Sequence, residues 1–205
     1  MKLYFSRHGE SEANRLRIIS NRQLPHGLTE AGKTQAAALA ERLRGKPIRC
    51  IYTSPVPRAV ETAEIVAKTI GISYEPCDAL REYDCGILEG RGDDWAWTEH
   101  RRWVDNWIAN RGRELGPEEG ETYNDIQRRF VPFINNLVGK NRNDESDFLL
   151  IGHGGIFFFG LPSVLANVDF EFIQHRGFGN AMTVTAGLKD DKLVCTAWGD
   201  EIIIE

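Results

Sequence analysis

Three short polar clusters hold the residue types that could do chemistry on an anion. Arg7-His8-Gly9 follows the apolar run Leu3-Tyr4-Phe5, Ser54-Pro55-Val56-Pro57-Arg58 follows Ile48 to Thr53, and Gly152-His153-Gly154-Gly155 follows Phe148-Leu149-Leu150-Ile151. Each apolar run reads as a strand, and the second and third clusters each open a helix. In open α/β sheets, ligands collect at the carboxyl ends of the strands. Two arginines, two histidines and free N–H groups at helix starts would converge there, which is the composition of a site for a phosphate dianion. One cluster alone carries little weight, because a strand-end histidine is commonly a satisfied structural group and a helix-start arginine a solvated charge. Three clusters of one electrostatic sign, in a chain of net charge −5, weigh more.

The elements that must position these clusters alternate strand and helix. Thr29 caps a helix whose Ala36, Leu39, Ala40 and Leu43 recur at helical spacing, with Gly45-Lys46-Pro47 ending it. Pro57 suits the first turn of the next, whose stripe is Ala59, Ala63, Val66, Ala67 and Ile70, with Gly71 as its stop. Ala181–Ala186 and Leu193–Ala197 read as a late hairpin. The pattern predicts a layered α/β fold with a largely parallel sheet. Four of the five tryptophans (Trp95, Trp97, Trp103 and Trp107) crowd between Asp94 and Ile108, and a helix carrying Ile126, Phe130, Ile134 and Leu137 follows, with a kink expected at Pro132. Residues 91–140 are therefore expected to form a helical cap on the sheet.

The 205 residues fit one domain, and 41% hydrophobic with 27% charged residues is globular composition. The acidic balance offers no general field for nucleic acid or acidic lipid. Phe148 to Val168, the most apolar stretch, is broken by His153, three glycines and Pro162, so no membrane span is expected. The four cysteines, Cys50, Cys77, Cys85 and Cys195, have no C-x-x-C spacing and read as reduced thiols of a cytoplasmic protein. No metal-ligand spacing is present among the histidines and cysteines.

The run Arg7-His8-Gly9-Glu10-Ser11-Glu12-Ala13-Asn14 resembles the opening motif of the histidine phosphatase superfamily, whose fold is shared with cofactor-dependent phosphoglycerate mutases. The resemblance continues in family order through Leu28–Ala36, Tyr52–Ala63, Leu80-Arg81-Glu82 with Gly86 and Glu89-Gly90, and Gly152–Gly155. It implies a three-layer α/β/α sandwich with a mostly parallel sheet, with His8 as a nucleophile forming a phosphohistidine, Arg7, Arg58 and His153 clamping the phosphoryl oxygens, and Glu82 protonating the leaving oxygen. Asn14, Ser20, Gly154, Arg101 and Arg102 are expected to bind substrate, and no cofactor is expected. The physical logic agrees. Phosphomonoester hydrolysis is among the slowest uncatalysed reactions, and fixed donors around the transferring oxygens accelerate it without reorganisation. His8 must attack as neutral imidazole, whereas Glu82 must carry a proton, so Asp84 and Glu89 would help if they lay near it.

The chain departs from the mutases after the acid. Their Arg-His-Tyr-Gly and later Asn-Lys are replaced by Tyr83-Asp84-Cys85-Gly86 and Gly90-Arg91-Gly92, which favours hydrolysis of a small phosphorylated metabolite over transfer to a second substrate oxygen. A phosphoglycerate mutase is the runner-up, and a non-catalytic phospho-ligand module the third reading. His100-Arg101-Arg102 either binds a second anionic group or is a solvated helix face. Trp103 and Trp107 are expected in the core of the cap, with Trp95 and Trp97 left as candidates for the cavity wall, where they would prefer an apolar or aromatic leaving group. His26 stands where the family has Asp-x-Pro-Leu-Thr. Gly27–Thr34 satisfies the P-loop pattern but lacks the apolar strand such a loop must follow.

Overall fold

The computed structural model describes residues 1–22 and 24–203. Within it, β1 (Lys2–Arg7), β2 (Ile48–Thr53), β3 (Tyr74–Pro76) and β4 (Asp147–Gly152) run parallel in the spatial order β3-β2-β4-β1. Beyond β1 the sheet continues antiparallel through β5 (Thr183–Lys189), β6 (Lys192–Trp198) and β7 (Glu201–Ile202). The parallel character is thus confined to one half, and that half carries the three polar clusters. Asp190 and Asp191, both at positive φ, make the two-residue turn of the β5–β6 hairpin, a conformation that aspartate tolerates better than most side chains.

Strand alternation sorts the apolar residues onto two faces. After a short α1 (Glu12–Leu16) the chain forms α2 (Glu30–Leu43) and α3 (Pro57–Ile70), beneath which Tyr4, Ile51, Leu149 and Ile151 pack against Leu39, Ala40, Ala63 and Val66. Leu3, Phe5, Phe148 and Leu150 face the other way, toward α5 (Tyr123–Asn141) and α6 (Gly154–Val164), where Phe130, Ile134 and Phe157 are buried. Each such side chain contributes roughly 1.5–3 kcal/mol on full burial. The helix starts follow their local chemistry. The Thr29 hydroxyl accepts from the Gly32 N–H at 3.0 Å, and Pro57 occupies the first turn of α3. At the opposite end of α3, Gly71 closes the helix at φ +77°.

The cap expected over residues 91–140 divides in two. α5 belongs to the sheet's own layer, with Phe133 edge-on to Tyr52 of β2 at 5.5 Å, and it continues through Pro132 as one helix. What stands over the strand ends is α4 (Asp94–Ile108) with the loop that follows it. Trp107 anchors α4. It is fully buried, lies edge-on to Tyr83 and Phe159 at 5.6 and 5.2 Å, and donates its indole N–H to the Leu115 carbonyl. Trp103 packs partly buried against the same cluster, whereas Trp95 is 48% exposed beneath the Arg91 guanidinium. Among the described residues no helix is long and apolar enough to cross a membrane.

Candidate active site

Strand register brings the clusters together. Arg7 is level with Gly152, the His8 N–H donates to the Gly152 carbonyl at 3.0 Å, and the Ser54 N–H donates to Ile151 at 2.8 Å. Three chain segments far apart in sequence therefore end side by side. α6 starts at once after His153, so its N-terminal N–H groups and their partial positive charge lie at the same edge.

His8 is 2% exposed, and its tautomer is set by its neighbours. Its Nδ1 lies 2.6 Å from the Gly9 carbonyl, which can only accept, so Nδ1 holds the proton and Nε2 the lone pair. Arg58 Nε donates to that Nε2 at 2.9 Å. Burial, then Arg58, then Arg7, push the His8 pKa well below the ordinary histidine value, which keeps the ring neutral. A neutral, oriented imidazole is the form that attacks phosphorus.

The cationic frame is built from both sides. Arg58 is buried on the first turn of α3 and steadied by donating Nη1 to the Ser20 carbonyl at 2.6 Å; burial lowers its pKa to about 10, so it remains charged at neutral pH. Arg7 is held by Nη1 on the Phe178 carbonyl at 2.8 Å, while its Nε is buried with no partner among the described residues. His153 is fully buried, its ring 5.0 Å from that of His8, and burial followed by Arg58 pushes its pKa well below normal. Ser54 Oγ accepts from the Val56 N–H and lies 2.7 Å from His153 Nε2. Its own buried proton is satisfied by donation to that nitrogen, which puts the imidazole proton on Nδ1, an atom buried with no partner among the described residues. Arg7 Nε and His153 Nδ1 are thus two desolvated donors available to an anion.

Glu82 faces the same edge from the segment after β3 and is 8% exposed. One carboxylate oxygen accepts from the Gly155 N–H at 2.8 Å, the other from Ile156 at 2.7 Å and Tyr83 at 3.2 Å. These bonds and Arg58 favour the charged form, yet burial outweighs them and the pKa is raised. Asp84 and Glu89 are not the cause. They are turned away onto Arg22 and onto the Asn21 and Cys85 N–H groups, respectively. Gly155 is needed at its position because a Cβ there would strike the Tyr83 ring and stand 2.7 Å from Glu82 Oε1.

These groups open onto a cavity of about 350 Å³ that Arg7, His8, Asn14, Ser20, Arg58, Glu82 and Gly154 help to line. Asn14 Oδ1 is occupied by the Ser11 N–H and by Asn180 Nδ2, leaving the amide nitrogen as its remaining donor. The Ser20 hydroxyl pairs with His26 Nδ1 at 2.8 Å, which gives His26 a part in holding this segment. Arg101 and Arg102 are not brought to the cavity. Trp97, His100 and Val104 form the face of α4 that lines it, and helical spacing leaves Arg101 on the flank and Arg102 on the far side. Arg102 pairs there with Glu99 at 2.6 Å and covers Trp103.

Sequence reasoning did not assign roles to Ser54, Thr62, Tyr83, Phe178 or Asn180. Thr62 accepts from the Gly9 N–H, and Asn180 Nδ2 donates to the His8 carbonyl, so both brace the backbone around His8. Ser54 and Thr62 sit within a recognisable motif, but Phe178 and Asn180 lie in an irregular connection with no local signal.

The model of the histidine phosphatase superfamily (branch 1) matches residues 3–201. A probable phosphoglycerate mutase GpmB of Photorhabdus laumondii is 35% identical over 156 residues, covering 75% of this chain and 70% of that protein. A putative phosphoserine phosphatase 2 of Hydrogenobacter thermophilus is 30% identical over 192 residues, 93% of this chain and 91% of that protein. Among solved structures, Bacillus stearothermophilus YhfR superposes with a TM-score of 0.81 at 25% identity, covering 97% of this chain and 96% of the other.

Proposed function

The chain belongs to the histidine phosphatase superfamily, and on that footing we propose that it hydrolyses a small phosphorylated metabolite through a phosphohistidine on His8. The observation that carries the reading is the state of His8. It is a buried neutral ring with its proton held on Nδ1 by Gly9, its lone pair on Nε2, and two arginines beside it. The phosphoryl group docks against Arg7, Arg58 and His153, and the Arg58 bond to Nε2 is exchanged for one to a phosphoryl oxygen, freeing the lone pair. Nε2 attacks phosphorus, the bond from phosphorus to the ester oxygen breaks, and the Glu82 proton passes to that oxygen. Water then attacks the phosphohistidine and gives a proton back to Glu82. The P–N bond breaks, and inorganic phosphate leaves beside the free alcohol. The dianion itself favours the protonated form of Glu82, in the same direction as its burial.

The test is phosphate release by EDTA-treated protein across a panel of monoesters, with His8→Ala in parallel. Release that depends on His8 and survives EDTA is the expected result. Turnover unaffected by His8→Ala would overturn the mechanism. Conversion of 3-phosphoglycerate to its isomer without phosphate release would instead favour the mutase reading, which the name of the Photorhabdus relative brings in.

A further inference from the structure

The far side of the cavity differs in kind from its phosphate end. Ile18, Trp97, His100, Val104, Phe158 and Phe178 line it. Among the described lining residues the cations are Arg7 and Arg58, both committed to the phosphoryl group. His100 adds no charge at neutral pH, since burial and then Arg101 lower its pKa to about 4. Of the arginines around the region, Arg22 is paired with Asp84 at 2.8 Å and Arg102 with Glu99, and Arg101, on the flank of α4, reaches along its own helix to the Thr98 hydroxyl at 3.4 Å.

The wall is also held in place. The Trp97 indole N–H donates to the Arg17 carbonyl at 2.8 Å, tying α4 to the segment that carries Ile18 and Ser20. Tyr83 Oη lies 2.6 Å from His100 Nε2, and the Trp97 and His100 rings meet edge-on at 5.3 Å. Phe158 is stacked on Phe170 at 5.7 Å. A rigid apolar surface gains by burying apolar substrate area, and an unpaired carboxylate or second phosphate placed against it loses solvation with no counter-charge.

Resting on the hydrolase reading above, we infer that the alcohol half of the substrate is uncharged and apolar, carrying a ring that packs between Trp97 and Phe158, and is neither a hydroxyacid nor an amino acid. The chemistry thereby excludes phosphoserine and phosphoglycerates as preferred substrates, although relatives of this chain carry names that invoke them. A cavity of about 350 Å³ accommodates a phosphoryl group with a compact ring rather than an extended polymer.

The experiment compares kcat/KM for benzyl phosphate, phosphoserine and 3-phosphoglycerate, alcohol esters for which general-acid assistance is needed alike, with p-nitrophenyl phosphate as a general probe. Wild type is expected to prefer benzyl phosphate by roughly 10- to 200-fold, the range that apolar pocket contacts supply. Trp97→Ala should lower the ratio of benzyl phosphate to 3-phosphoglycerate about tenfold or more, and Val104→Arg should lower it further by supplying the missing counter-charge. A ratio does not depend on the folded fraction, so partial unfolding of either variant leaves the test intact. His8-dependent hydrolysis that favours phosphoserine or 3-phosphoglycerate, or a ratio unmoved in both variants, overturns this assignment while leaving the hydrolase reading standing. No hydrolysis of any ester, p-nitrophenyl phosphate included, overturns the hydrolase reading and this assignment with it.

Discussion

The floor of the cavity and its wall are built on opposite principles. The floor is polar, and four of its side chains are each held by a backbone group: His8 by Gly9, Arg7 by Phe178, Arg58 by Ser20, Glu82 by Gly155 and Ile156. The wall is apolar and supplied largely by one face of α4, whose position depends on Trp107 packing against Tyr83 and Phe159. Backbone-anchored geometry leaves the floor little freedom to change without losing the chemistry. A helix face can exchange side chains and keep its packing, so the wall is where one site is fitted to one alcohol.

Substitutions should separate the two regions by the size and kind of their effects. His8→Ala removes the nitrogen proposed to attack, and turnover should fall by about a millionfold, the scale seen when a nucleophile is deleted. The loss should extend equally to every ester, together with the acid-labile phosphoprotein trapped after rapid quenching. Glu82→Gln should cost about 10²–10⁴-fold with alkyl esters and far less with p-nitrophenyl phosphate, whose leaving oxygen needs no proton. The same variant probes pH dependence. His8, with its lowered pKa, must be unprotonated, so activity is lost only as pH falls well below 6.5. Glu82, with its raised pKa, must be protonated, so activity declines as pH rises through that value, and Glu82→Gln should flatten this alkaline limb. A limb that persists unchanged would remove Glu82 from the role of acid.

Arg58→Ala should lower kcat by about 10²–10³-fold, the cost of one preorganised charge-stabilising donor. Tyr83→Phe tests the join between floor and wall. It deletes the bond to His100 and should lower stability by about 1 kcal/mol in urea unfolding, with a loss on benzyl phosphate greater than on 3-phosphoglycerate. Arg102→Ala should change kcat/KM for any ester by less than about twofold, because its exposed pair with Glu99 lies on the far side of α4. A large effect there would move the second substrate contact back to Arg102 and blur the division between the two regions.

Much of the floor was legible in the chain itself. Arg7, His8, Arg58 and His153 announce themselves because short apolar runs end in polar clusters, and the strand that each run forms carries its cluster to one edge. Glu82 was legible only through the family motif, since a loop carboxylate has no local mark of being buried. The cap was half legible. Helical periodicity found α4 and α5, but the apolar stripe of α5 looks the same whether it covers a sheet or stands on a cap, and only the contact of Phe133 with Tyr52 separates the cases. Adjacent charges on one helix could not be sorted either. His100 turns into the cavity while Arg102 turns away, because the rotation of α4 about its axis is set by where Trp107 finds its pocket.

What the sequence by itself determined is the alternation of elements, the strand-end clusters and hence the anionic ligand, all of which follow from periodicity and local turn chemistry. Only the tertiary structure decided the proton positions on His8 and His153, the burial that raises Glu82, the docking of the late hairpin antiparallel on β1 and the apolar wall over the site. Those depend on which groups lie within a few ångströms across long sequence separations, and desolvation and hydrogen bonding act on that distance alone.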